Sequence, residues 1–156
     1  MLVKESIIER EKSKIFFHAS NNKFDEFSLN NNKMYKEIDL PVWFFTDDLN
    51  YAKTFGKYLY EVNLNIKNTF DTSNKKHFKM FIDYLKYENK SKKEIDEILD
   101  EKFYMDLPYW TCDDAFYAAI SNKFDSILIE EELESEVISI GVFDTENIHI
   151  IKIIEL

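Results

Sequence analysis

Residues 41–66 read Pro-Val-Trp-Phe-Phe-Thr (41–46), Asp-Asp (47–48), Leu-Asn-Tyr-Ala-Lys-Thr-Phe (49–55), Gly-Lys (56–57) and Tyr-Leu-Tyr-Glu-Val-Asn-Leu-Asn-Ile (58–66). Pro41 opens a short run of β-formers that is apolar at neighbouring positions, which predicts a buried strand. Asp47 or Asp48 offers an N-cap for a short helix over Leu49–Phe55, and Gly56 marks its stop. Tyr58–Ile66 then alternates as a half-buried strand does.

Outward from this unit, Ile15–His18 predicts another strand and Lys4–Glu11 a short charged helix. Asn21–Asp39, with Asn30-Asn31-Asn32 inside it, predicts a long polar loop tacked to the core by Phe24, Phe27 and Leu29. Downstream, Phe78, Phe81, Ile82 and Leu85 share one helical face, as do Ile95, Ile98 and Leu99. Ser91 and Glu94 between them have capping-box spacing. Pro108 interrupts, Asp113–Ile120 predicts a third helix, and strands are expected at Ser126–Ile129, Val137–Phe143 and Ile148–Ile154. Strands and helices do not alternate as a doubly wound sheet requires, so the expected class is α+β, in a single domain over residues 1–156.

Composition excludes several chemistries. The chain has 45% apolar residues, including 14 Phe, 9 Tyr and 2 Trp, enough for a sizeable core. Its two glycines exclude a glycine-rich dinucleotide turn and a Walker phosphate loop. Cys112 is alone, which excludes an intramolecular disulfide, and His18, His77 and His149 lack ligand spacing, so no metal is expected. A formal charge of −10 with a single arginine, Arg10, disfavours nonspecific nucleic-acid binding and suits a basic partner. No stretch approaches the ~20 apolar residues of a membrane span, and the start is charged from Lys4, so a cytoplasmic protein is expected.

Taken singly, the chemically suggestive residues have structural readings: a histidine ending an apolar strand, two phenylalanines in an aromatic-rich chain, an acidic hairpin turn. Their order changes the reading. Phe16-Phe17-His18-Ala19-Ser20, Val42-Trp43-Phe44-Phe45-Thr46-Asp47, Ala52-Lys53-Thr54-Phe55, Phe124-Asp125-Ser126-Ile127 and Ile140-Gly141-Val142-Phe143-Asp144 follow one another along the chain. In this order, and with eleven positions from Phe44 to Phe55, the sequence resembles ADP-ribosyltransferases of the diphtheria-toxin and poly(ADP-ribose)-polymerase type, especially short phage and bacterial members. The matches run from about residue 14 to the end and leave a helical insert at about 74–110.

The resemblance implies a mixed-sheet transferase core and NAD as co-substrate. His18 would hold a ribose of NAD, the Ala19 backbone would hold the nicotinamide amide, and Ser20 would add a hydroxyl. Phe44 and Phe55 would sandwich the nicotinamide, with their faces retained and the family's phenol groups lost. The family's glutamate slot before the last conserved strand holds Ser139 here. A catalytic acid is therefore expected in the preceding hairpin, at Glu134 first, then Glu136, with Glu132 third. The expected activity is mono-ADP-ribosylation of a macromolecule, a protein being favoured, by a phage inhibitor or a bacterial toxin. The alternative is an inactive relative that blocks a basic partner by occupancy.

Overall fold

The computed structural model describes residues 15–100, 113–130 and 137–156. The expected helix at Lys4–Glu11 and the Pro108 break lie outside these residues. Seven strands form one sheet: β1 (Phe16–Ser20), β2 (Trp43–Thr46), β3 (Tyr58–Leu64), β4 (Thr69–Phe70), β5 (Ser126–Glu130), β6 (Ile138–Val142) and β7 (Ile148–Glu155). The five α-helices described are α1 (Lys33–Ile38), α2 (Leu49–Lys53), α3 (Lys75–Tyr87), α4 (Lys92–Asp100) and α5 (Asp114–Ser121). The strand order is β4-β5-β6-β2-β1-β3-β7, with β4 parallel to β5 and every other pair antiparallel. This is an α+β architecture with a mixed sheet.

Side-chain alternation sorts the sheet into two faces. On one, Val42, Phe70, Ile127 and Ile129 pack against Phe81 and Leu85 of α3, Ile95 of α4 and Ala115, Phe116, Ala118 and Ala119 of α5. The small residues of α5 let that helix lie close to the strands. Farther along this face, Ala52 of α2 packs on Ala19 and Leu59. The other face holds Phe16, Trp43, Phe45, Tyr60, Val62 and Ile140, covered by Phe24 and Phe27. Tyr60 is fully buried, and its hydroxyl accepts from the Phe24 N–H at 2.7 Å and donates to the Phe24 carbonyl at 2.9 Å. Two bonds to one residue pin the irregular segment over the core.

Most expected elements form near their predicted bounds, and three details differ. Within the expected loop 21–39, Asn32 becomes the N-cap of α1, its side chain accepting from the Tyr35 N–H at 3.0 Å. The asparagine tract is therefore a helix start, which polarity alone made look like a loop. The two-residue strand β4 is too short to leave a periodic signal. Gly56, expected to mark the helix stop, follows the end of α2 at Lys53 without the positive φ that a glycine stop commonly takes. Its lack of a side chain is used for close approach: a Cβ there would lie 2.3 Å from the Ser20 carbonyl carbon and 2.6 Å from the Asn21 nitrogen. As expected, Asp48 caps α2, accepting from the Tyr51 N–H at 2.8 Å, and Ser91 accepts from the Glu94 N–H at 3.1 Å.

Asp125 ties the far half of the sheet together. Its carboxylate accepts from the Lys67 and Asn68 N–H groups at 2.8 and 3.1 Å and from the Ser126 hydroxyl at 2.7 Å. The β3–β4 connection and the start of β5 thus share one acceptor.

The two glycines give unlike predictions. At Gly141 an added methyl meets side-chain carbons of Val42 and Ile127 at 2.8 and 2.9 Å, while at Gly56 it meets backbone. Gly141→Ala should cost about 1–3 kcal/mol as overpacking, and Gly56→Ala should cost more because backbone cannot rotate away. Urea unfolding of the two variants checks the ranking. Equal or reversed losses would show that α2 is not seated tightly on the end of β1.

Candidate functional site

The strand ladders leave a seam. β1 pairs with β3 at five positions and β2 with β6 at four, yet β1 and β2 pair at one position, Phe17↔Thr46. Two half-sheets, β4-β5-β6-β2 and β1-β3-β7, therefore join at a single rung and part beyond it. A ladder continued past this rung would set His18 opposite Phe45, Ala19 opposite Phe44 and Ser20 opposite Trp43. A side-chain bond stands there instead. His18 Nδ1–H donates to the Phe44 carbonyl at 2.8 Å, since that oxygen can only accept.

This bond fixes the imidazole tautomer and leaves Nε2 as a bare acceptor. Around the ring lie Phe27 and Trp43, both edge-on at 5.4 Å, Phe45 at 5.7 Å, Tyr60 at 6.1 Å and Phe24 at 6.3 Å. His18 is nonetheless only part-buried, and its Nε2 is not among the buried atoms without a partner. The acceptor edge therefore reaches the surface. Burial pushes the imidazole down from the usual 6.5 to about 4, partly opposed by the Phe44 carbonyl. His18 is neutral at pH 7.

The remaining candidates distribute as follows. Ala19 is buried against Ala52 and Leu59. The Ser20 hydroxyl accepts from the Asn22 N–H at 3.1 Å, stabilising the turn that leaves β1. Phe44 points to the helical face and meets Phe116 of α5 edge-on at 5.9 Å. Phe55 is 55% exposed, edge-on to Tyr51 at 5.0 Å. Because Gly56 presses on Ser20, Phe55 is held beside the end of β1. Ala19 and the Phe44 ring thus share one sheet face, with Phe55 nearby, while the His18 ring body lies on the other face and reaches across the seam through Nδ1. The sequence did not distinguish the two faces.

Glu132, Glu134 and Glu136 lie outside the described residues. The flanking strands β5 and β6 do pair antiparallel, up to Glu130↔Ile138. Ser139, in the slot where the resemblance expects an acid, is 4% exposed and sits in the sheet opposite Thr46 and Ile129. A hollow of about 490 Å³ bounded by Leu29, Pro41, Lys123, Phe124 and Phe143 includes none of the five candidates. Among the described residues no group of histidine, cysteine or carboxylate side chains is arranged to hold a metal. No described helix is long and apolar enough to cross a membrane.

Sequence reasoning missed Trp43. It is 6% exposed, and its indole Nε1–H has no hydrogen-bond partner. Its place in an apolar run signalled core, and nothing in the sequence signals an orphaned donor.

The architecture defines an α+β protein with a split mixed sheet. No family model and no curated protein matches the chain. One solved structure, described as the crystal structure of an anti-CRISPR protein, is similar in fold: 13% identity, 90% of this chain and 94% of that chain covered, TM-score 0.52.

The low pKa of His18 has a signed consequence. Above pH 6.5 the ring is neutral in folded and unfolded chains alike. As pH falls below 6.5 the unfolded chain gains a proton that the folded chain refuses until about 4, so stability is lost through that window. At pH 4.5 the loss from this residue should be roughly 2 kcal/mol. His18→Asn keeps an N–H donor near the Nδ1 position and does not titrate. Urea unfolding at pH 7 and 4.5 should show a smaller acid loss for the variant than for the wild type. Equal losses would mean that the imidazole is not held neutral.

Proposed function

We propose that this chain is an NAD-dependent mono-ADP-ribosyltransferase acting on a macromolecular target, a protein being favoured, as an inhibitor of phage origin. The observation that carries the reading is the seam. His18, Ala19 and Ser20 of β1 and Phe44 of β2, four of the residues that resemble the family's NAD-binding positions, flank the one-rung junction and are tied by the His18–Phe44 bond, with Phe55 on the segment after α2. A pocket of this kind needs neither a glycine-rich loop nor a metal. The exposed ring of Phe55 has no core role that accounts for it, and a stacked nicotinamide would cover it. The similarity in fold to an anti-CRISPR protein supports the inhibitor role by analogy.

In this reading His18 Nε2 accepts a ribose hydroxyl, and Phe44 and Phe55 border the nicotinamide. The C–N bond from ribose to nicotinamide breaks, nicotinamide leaves with the bonding electrons, and an acceptor nucleophile forms the new bond to the ribose carbon as its proton passes to the hairpin carboxylate. A hairpin carboxylate, Glu134 or Glu136, stabilises the positive charge on the ribose.

A second reading is favoured by Ser139. A serine buried in the ladder supplies no charge, so the chain would bind its target without modifying it if the hairpin acids do not act.

Thermal unfolding and NAD turnover test both readings. Millimolar NAD should raise the melting temperature by mass action. Phe55→Ala should weaken NAD binding by about 1 kcal/mol, and Phe55→Tyr should retain it. Glu134→Gln should fold and bind normally but lower NAD turnover in target-containing lysate by ~10² or more. No NAD effect on melting rejects the pocket. NAD binding without turnover, with the target inhibited equally by wild type and Glu134→Gln, selects the occupancy reading.

A further inference from the structure

The hollow of about 490 Å³ lies off one end of three neighbouring strands. Trp43 of β2 pairs with Val142 of β6, and Val142 with Ser126 of β5, so Pro41, Phe143 and Asp125 stand just beyond that end. Antiparallel pairing at Phe17↔Thr46 brings Ser20, the last residue of β1, to the same end. The volume falls within the roughly 300–1,000 Å³ of ligand-binding clefts.

Its walls are apolar: Pro41, Phe124, Phe143 and Leu29, the last 40% exposed. Three charged residues border it, Lys123, Asp125 and Asp144. Asp125 is committed to the Lys67 and Asn68 N–H groups and the Ser126 hydroxyl. Asp144 Oδ1 accepts from the Glu146 N–H at 2.9 Å. Among the described residues, Asp144 Oδ2 and the side-chain amide of Asn147, also on the border, make no hydrogen bond, and Lys123 makes no ion pair.

Two carboxylates against one ammonium make this lining net negative, over an apolar and aromatic wall. An arginine side chain matches both features. Its methylenes and guanidinium plane lie against apolar and aromatic surface, and its fork donates to a carboxylate and to an amide oxygen. A carboxylate ligand would meet Lys123 but be repelled by Asp125 and Asp144. A purely apolar side chain would leave Asp144 Oδ2 unused. Lys123 is exposed, so its long side chain can turn away from an incoming cation.

We propose that this hollow is a docking site for an arginine side chain displayed by a protein target, held by Asp144 and Asn147 over the Phe124–Phe143 wall. The chain's charge of −10 favours the approach of a basic target. The inference goes beyond transfer of ADP-ribose. An anchor at this end of the sheet serves a chain that modifies its target and one that only occupies it, and it needs no NAD.

The test titrates the NAD-free protein with arginine blocked at both termini, followed by backbone amide NMR shifts at low salt. Blocked citrulline, the neutral isostere, and blocked glutamate serve as controls. Shifts should centre on Lys123–Asp125 and Phe143–Asn147, and citrulline should bind about 5-fold more weakly than arginine. Asp144→Asn keeps an acceptor for the Glu146 N–H and should weaken the arginine probe about 3–5-fold without lowering the melting temperature. Lys123→Asn suits the left-handed backbone at that residue (φ 66°) and should strengthen it about 2-fold by removing a like charge. Equal binding of arginine and citrulline, preference for glutamate, an unchanged affinity in Asp144→Asn, or shifts confined to Asp113 and Asp114 overturns the site. So does the absence of shifts at tens of millimolar arginine. None of these outcomes bears on NAD binding, so the transferase reading stands or falls separately.

Discussion

One hydrogen bond, from His18 Nδ1–H to the Phe44 carbonyl, stands where the sheet stops being a sheet. Six strand pairs hold the molecule together, and the central one, β1 with β2, has a single rung. A gap at that place would leave backbone groups of two central strands without ladder partners, which is costly in a protein interior. The imidazole meets part of that demand with a donor that is not part of the ladder. The aromatic packing around it keeps the ring neutral and fixes its tautomer, so the same residue that closes the sheet mechanically presents a defined acceptor at its other nitrogen.

The rest of the structure is arranged around this seam. On one face α3, α4 and α5 cover the half-sheet that contains β2, using alanines and phenylalanines on α5 to approach closely. On that face too, α2 is drawn onto β1 by contact of Ala52 with Ala19 and Leu59, and by the bare backbone of Gly56 against Ser20. The opposite face is closed by two phenylalanines held through Tyr60. The residues at the seam are consequently rigid on the strand side and covered by a short irregular segment on the other.

The acidity of the chain also has local expression. Asp113 is pushed up by burial and by Asp114, and Tyr117 by burial and then by Asp113, Asp39 and Asp114. Carboxylates gathered near the start of α5, with Lys90 the cation 3.9 Å from Asp114, place negative potential on the helical face. Under the proposed function, the start of α5 is the described part of the helical face best suited to a basic target.

The strands, the amphipathic helices and the caps at Asp48 and Ser91 were legible because each depends on neighbours in sequence: alternation, helical periodicity, and a polar side chain one turn from an unsatisfied N–H. The candidate set His18, Ala19, Ser20, Phe44 and Phe55 was legible as an ordered pattern, without any indication of which sheet face each side chain takes. The α1 helix was hidden because its cap, Asn32, belongs to a polar tract that has no apolar period. Gly56 was read locally as a helix stop, whereas its role is contact with Ser20, thirty-six positions away in the chain. Trp43 could not be distinguished from a core residue, since whether an indole N–H finds a partner depends on which rings arrive from Phe24, Phe27 and Tyr60. The seam itself is the clearest case. Residue types state that β1 and β2 are strands, but only long-range pairing determines how many rungs they share, because ladder register is set by the packing of both half-sheets and not by either strand alone.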